Sequence, residues 1–207
     1  MRGLAWLTLL VALLGSAVGC HRPAPTAASD TVEAIARFEQ RVAVDPRDAL
    51  SPTTLSGLYV RAFDETGDRI ALQHAATAAR VALARQSDHA PAQVALARAL
   101  FADDQVDEAR ALTDEVLERD PVDIAAMGVA FDLALASGAT ARAAMWAERL
   151  LSRDESPETI DRLGRLASHR GDSARAIALW QRAAADAEEL GARPVEIAKY
   201  RARALAR

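Results

Sequence analysis

The residues best suited to chemistry are the histidines and the single cysteine. His74, His89 and His169 lie far apart, and no two histidines stand at the i, i+4 spacing that places two imidazoles on one helix face. Cys20 is the only cysteine and lies near the N-terminus. Because a zinc site is built from several His and Cys ligands, this distribution argues against one.

An acidic run at residues 103–108 (DDQVDE) is the other candidate for metal binding. An EF-hand calcium loop needs a glycine and a terminal glutamate at fixed positions, and this run lacks both. We interpret it as a solvated turn between helices. The sequence also contains no glycine-rich phosphate loop and no G-x-S-x-G nucleophile motif. We therefore expect a protein that is not an enzyme and that uses no metal or cofactor.

The composition indicates a helical protein. Alanine occupies 49 of the 207 positions, whereas aromatic residues make up only 4% of the chain. Alanine has the highest helix propensity, and small side chains let helix axes approach closely. Alternating runs of strand-forming residues are missing, so the sequence predicts an all-α fold and excludes a β-sandwich or barrel. The net charge of −4 argues against a general nucleic-acid binder.

The first 19 residues have the features of an export signal. Arg2 gives a positive start, and the apolar stretch at residues 4–14 is too short to span a bilayer comfortably. A run of small residues then leads to Cys20. Residues 17–20 (AVGC) resemble the lipobox of bacterial lipoproteins, although Ala17 stands where leucine is usual. The alternative is an ordinary secretory signal with a chance cysteine.

The lipoprotein resemblance implies that Cys20 is acylated and becomes the first residue of the mature protein. We therefore expect a signal peptide at residues 1–19, then the lipidated cysteine and a flexible Pro/Ala tether at residues 20–29. The residue after the cysteine is His21 and not aspartate. In the enteric sorting rule this favours the outer membrane, facing the periplasm.

The rest of the chain repeats at a nearly constant period. Ala143 follows Ala109 by 34 residues, and Ala176 follows Ala143 by 33. Each alanine lies in the first turn of a predicted helix, and another predicted helix precedes each turn. Pro46 and Pro121 lack a backbone donor and are typical of helix ends. The period predicts stacked helix–turn–helix units, and a generic alanine-rich bundle is the alternative.

These units resemble the tetratricopeptide repeat (TPR), with residues 157–185 as the best copy. Its matching positions are Ile160, Leu163, Gly164, Ala167, Gly171, Ala176, Trp180 and Ala183. Phe131 departs from the pattern, because it stands where a small residue is usual. The resemblance implies a right-handed superhelical solenoid of about ten helices, with the repeat array at residues 30–190. Residues 191–207 would form a capping helix, covering the end of the array through Val195, Ala198, Ala202 and Leu205.

In this family the first helix of each unit lines a concave groove that holds a segment of a partner protein. The positions that the resemblance places in the groove are Arg61, Val94, Arg98, Phe101, Asp132, Leu135, Asp161, Arg165 and His169. Val94 and Arg98 occupy positions where the carboxylate-clamp form has Lys and Asn, which excludes that subclass. The simpler interpretation is that Arg98 and Arg165 are solvated charges on helix faces.

Two classes of function follow from this reading. The first is a membrane-anchored scaffold that binds an envelope protein in its groove and assists assembly of an envelope complex. The second is an adaptor that recruits or regulates a periplasmic enzyme, such as a cell-wall hydrolase or synthase or a cytochrome-maturation component. Both imply protein partners and a lipid anchor in the membrane, and neither involves nucleic acid or metal. The residues alone do not separate them.

Overall fold

The computed structural model describes residues 27–206, which form ten α-helices and contain no strand. The helices are α1 (Ala27–Val44), α2 (Leu50–Thr66), α3 (Ile70–Arg85), α4 (Ala90–Ala102), α5 (Val106–Arg119), α6 (Ile124–Ala136), α7 (Thr140–Leu151), α8 (Pro157–His169), α9 (Ser173–Glu189) and α10 (Pro194–Leu205). The prediction of an all-α array of about ten helices is confirmed. The predicted signal peptide and Cys20 lie outside the described residues. Helix α1 includes residues 27–29, which were assigned to the tether.

The helix boundaries have local causes. Asp123 precedes α6, and its Oδ1 accepts a hydrogen bond from the backbone N–H of Ala126 at 2.7 Å. Ser156 precedes α8, whose first residue is Pro157, a favourable position for proline. Gly138 and Gly171 follow α6 and α8 with φ of 72° and 81°, a conformation that favours glycine. No helix within residues 27–206 is long and apolar enough to cross a membrane.

The acidic run of residues 103–108 joins two helices, as expected. Residues 103–105 form the turn between α4 and α5, and the remainder begins α5. The guanidinium of Arg69 donates to Asp103 Oδ1 at 2.7 Å and to Asp104 Oδ2 at 3.4 Å. These carboxylates therefore tie one inter-helix turn to the start of α3.

The even-numbered helices form the inner side of a curved stack. Helix α2 contacts α4, α4 contacts α6, and α6 contacts α8, in addition to the contacts between consecutive helices. The described residues show no comparable set of contacts among the odd-numbered helices. Because the even-numbered helices lie closer together, the stack curves toward them, and they line its concave face.

Small side chains allow this close stacking. One core cluster runs from α3 to α6 and includes Ala79, Ala97 and Ala109, all fully buried. A second joins α6, α7 and α8, and here Phe131 is 0% exposed. The phenylalanine that departs from the repeat pattern thus fills the core between units. Two further clusters connect α8, α9 and α10.

The terminal helix packs through a different face from the predicted one. Helix α10 contacts α9, but Leu205 is 86% exposed, and Ala198 and Ala202 are also exposed. Tyr200 is buried instead, together with part of Ile197. The expectation is therefore wrong for Ala198, Ala202 and Leu205, whereas Val195 is partly buried. The large ring of Tyr200 packs against α8 and α9 instead, so most of the face that was predicted to be buried points away from the array.

Gly164 and Trp180 form the tightest contact between α8 and α9. Trp180 is 3% exposed. A Cβ atom at position 164 would lie 2.7 Å from Trp180 Nε1 and 2.9 Å from Cδ1. Real Cβ atoms do not approach other heavy atoms so closely, so Gly164 is required by the indole that packs on it.

Gly164→Ala is expected to lower the free energy of unfolding by about 1–3 kcal/mol, because the buried indole has no room to move. Gly57→Ala is the matched control, since Gly57 is exposed in α2 and a Cβ there meets nothing within 4 Å. The control should raise stability by roughly 0.5–1 kcal/mol through helix propensity. Urea denaturation of both variants measures the difference. Equal effects of the two substitutions would contradict the packing described here.

Candidate functional site

The groove predicted from the repeat register lies on the concave face, and seven of its nine residues have accessible surface there. These are Arg61, Arg98, Phe101, Asp132, Leu135, Arg165 and His169. Val94 and Asp161 are different, with exposures of only 3% and 6%. Val94 belongs to the core cluster of α3 to α6, and Asp161 forms an ion pair with Arg203. The expectation that these two side chains face a partner is therefore corrected.

The centre of the groove is organised by Asp132. Its Oδ1 accepts a hydrogen bond from Arg165 Nη1 at 2.5 Å, and its Oδ2 accepts one from Arg162 Nη2 at 3.5 Å. The guanidinium carbon of Arg165 also lies 5.7 Å from the centroid of the Phe131 ring. One carboxylate on α6 thus holds two arginines of α8, and the ring beneath adds a cation–π contact.

Arg162 was not predicted as a groove residue. Its guanidinium lies against Gly128 of α6, where a Cβ would come within 2.8 Å of Nη2. The sequence carries a signal for this contact, since a glycine in the interior of a helix costs stability and needs a packing reason. The absence of a side chain at position 128 makes room for the arginine beside Asp132.

Arg98 is a groove cation without a fixed partner. It is exposed on α4 and forms no ion pair or side-chain hydrogen bond within the described residues. Although its side chain reaches solvent, the concave surface around it removes water from the guanidinium and lowers its pKa, and the positive charge of Arg162 lowers it further. Asp132, Asp123 and Glu158 oppose this shift without cancelling it. The guanidinium of Arg98 therefore keeps its N–H donors available to a partner.

A charge on α2 acts on a carboxylate of α10. Burial tends to raise the pKa of Glu196 on α10, but hydrogen bonds from Arg193 and its charge hold that pKa below its ordinary value. The charge of Arg61 on α2 contributes to the same lowering. The place of Arg61 in the groove stays a prediction.

A cavity of about 530 Å³ opens at the C-terminal end of the groove. It is lined by Leu135, Arg165, Ser168, His169, Trp180, Arg203 and Ala206. Three of these residues were predicted, whereas Ser168, Trp180 and Arg203 were missed. Arg203 lies on α10, outside the repeating units, so the repeat register gave no reason to place it in the groove.

The groove is suited to noncovalent binding. It combines guanidinium donors with the apolar surfaces of Phe101 and Leu135, which are partly exposed. Within residues 27–206 no group of three or more His, Cys, Asp or Glu side chains could hold a metal ion. The geometry thus offers charge, hydrogen-bond donors and apolar contact area along one curved surface.

Comparison with known proteins identifies the repeat. Residues 71–129, which run from α3 into α6, match the family model described as tetratricopeptide repeat. No curated protein matches the chain.

Solved structures share the fold at low sequence identity. A thermophilic TPR protein of Thermus thermophilus, TTC0263, is 16% identical with a TM-score of 0.67, covering 84% of this chain and 91% of its own. A TPR protein of Parabacteroides merdae ATCC 43184 is 14% identical with a TM-score of 0.54, covering 85% and 78%. A chain of the APC/C hetero-tetramer Cut9–Hcn1 is 14% identical with a TM-score of 0.59, covering 74% of this chain and 28% of its own. Residues 71–129 therefore resemble the tetratricopeptide repeat in sequence, and the described helices as a whole have the fold of TPR proteins.

Proposed function

We propose that this protein is a lipid-anchored scaffold in the bacterial envelope, facing the periplasm, that binds a segment of a partner protein in its concave groove. The TPR fold is that of protein–protein interaction scaffolds. The observation that carries the proposal is the concave face itself, where the exposed Arg98 stands one helical turn from the partly exposed Phe101 on α4 and its charge interacts with that of Asp132 on α6. Arginine and aromatic side chains are enriched in the cores of protein interfaces.

The groove is suited to an extended or helical segment and not to a flat surface. Four even-numbered helices, α2 to α8, approach one another on the inner side of the stack, so the accessible residues form a row along its length. Arg98 on α4, Asp132 on α6 and Arg165 on α8 stand at equivalent positions of successive units. A polypeptide that lies across these helices would meet alternating charges, with apolar contacts from Phe101 and Leu135 beside them.

The envelope part of the proposal depends on the N-terminal sequence. The apolar stretch at residues 4–14, the small residues after it and Cys20 are the features of a lipoprotein signal. Two or more acyl chains would give stable anchoring, whereas one chain binds a bilayer only marginally. A scaffold tethered in this way would present its groove close to the membrane, where envelope complexes assemble.

The groove proposal predicts site-specific photo-crosslinking in cells of the native host. With a photoreactive amino acid at Phe101, a discrete adduct with a partner protein is expected, because the side chain faces the groove. Met145 is the matched control, as a large apolar residue that is 43% exposed on the outer helix α7. An adduct from Met145 and none from Phe101 would show that the partner binds the opposite face. A membrane component in the Phe101 adduct supports the scaffold, and a soluble enzyme supports the adaptor.

The anchor is tested by metabolic labelling with an alkyne analogue of palmitate. The full chain should incorporate the label, and Cys20→Ser should abolish it, because this is the only thiol available for acylation. Detergent should be needed to extract the labelled protein from membranes. An unlabelled full chain that is released as a soluble protein would refute the lipoprotein interpretation and leave the groove proposal intact.

A further inference from the structure

We infer that the cavity at the C-terminal end of the groove is a receptor for an acidic side chain of the partner segment, next to a large apolar one. This inference rests on the proposed function and specifies the chemistry of the partner. The cavity lies between α6, α8, α9 and α10 and has a volume of about 530 Å³, within the range of sites that bind ligands.

The lining of the cavity includes three basic residues. Arg165, His169 and Arg203 contribute to it, and no Asp or Glu is among its lining residues. Asp132 pairs with Arg165 and Asp161 pairs with Arg203, although neither carboxylate belongs to the lining. The lining therefore offers guanidinium donors to a ligand without a carboxylate that competes for them.

The two guanidiniums are held in place for a ligand. Arg165 and Arg203 each use Nη1 for the carboxylate behind them, and the described residues show no other hydrogen bond from either side chain. A guanidinium has five N–H donors in a planar fork, so each arginine keeps further donors available. A guanidinium already fixed by one carboxylate loses less side-chain entropy when it binds another. Charge-assisted hydrogen bonds of this kind are stronger than those between neutral groups.

The remaining lining is largely apolar. Leu135, Ala206 and the indole of Trp180 contribute to it. Trp180 is 3% exposed and packs against Gly164, so the indole is held in place. A ligand with only an acidic group would leave these apolar residues uncovered, whereas an acidic residue beside a large apolar one would contact both kinds of lining residue.

The position of the cavity favours a polypeptide over a small anion. Leu135 and Arg165 belong both to the groove and to the cavity lining. A segment that lies across α4 and α6 would therefore reach the cavity without a break. Arg98, which is exposed one unit earlier and forms no ion pair within the described residues, adds a second guanidinium that favours an acidic side chain.

A random peptide library displayed on phage and selected against the full mature chain tests this inference. The selected peptides should be enriched in Asp or Glu adjacent to Phe, Tyr, Trp or Leu. Synthetic versions should bind at least about tenfold more weakly to the double variant Arg203→Gln/Asp161→Asn, since a charge-assisted contact is lost. The double variant avoids leaving the buried Asp161 carboxylate without its partner.

Arg175→Gln is the matched control, because Arg175 is exposed on α9 and forms no ion pair within the described residues. It should leave peptide affinity unchanged. A selection without acidic enrichment, a selection that enriches no peptide, or equal affinity for the double variant and the control would each overturn the inference. A photoreactive residue at Phe101 separates the two proposals. Peptides that crosslink there without acidic preference overturn only the cavity inference, and peptides that bind without contacting Phe101 count against the groove as well.

Discussion

The contact between the Asp132 carboxylate and two arginines of α8 fixes the working geometry of this protein. It joins α6 to α8 on the concave side, where Asp132 meets Arg165 at 2.5 Å and Arg162 at 3.5 Å. All three side chains are at most 30% exposed, so water screens the charges only partly. Without this carboxylate, the guanidiniums of α8 would repel each other and the nearby Arg98. The positions of Arg162 and of the cavity residue Arg165 are therefore tied to α6 through this one anion.

The close approach of the helices makes the contact between Asp132 and the two arginines possible. The spacing of small residues in the sequence predicts this close approach well. Ala109, Ala143 and Ala176, whose spacing gave the repeat period, are each 0% exposed. A period of small residues is a strong signal because small side chains at recurring contact positions let each helix pair stack closely on its neighbour. The face of α10 was wrongly predicted for a related reason. Beyond the last unit no repeat constrains the register, and the volume of Tyr200 decided which side packs.

The groove was predictable at the level of the helix face but not of each side chain. Arg98, Asp132 and Arg165 stand at equivalent positions of α4, α6 and α8, as the register requires, and their contact with a partner stays a prediction. It could not show that Val94 and Asp161 turn inward, because burial at those positions depends on the neighbouring helix and on Arg203. Arg162 and Arg203 were missed since their roles arise from Gly128 and from the terminal helix, which no repeat pattern describes. The donors of the cavity thus come partly from the repeat and partly from its end.

A double-mutant cycle on Asp132→Asn and Arg165→Gln tests the central claim most directly. Free energies of unfolding of the wild type, both single variants and the double variant give the coupling between the two side chains. We expect a coupling of about 1–2 kcal/mol, because the pair is close and partly buried. The pair Arg80 and Glu108, 3.7 Å apart with both side chains 53% exposed, should give less than about 0.5 kcal/mol. A coupling for Asp132 and Arg165 no larger than that of the exposed pair would contradict the account.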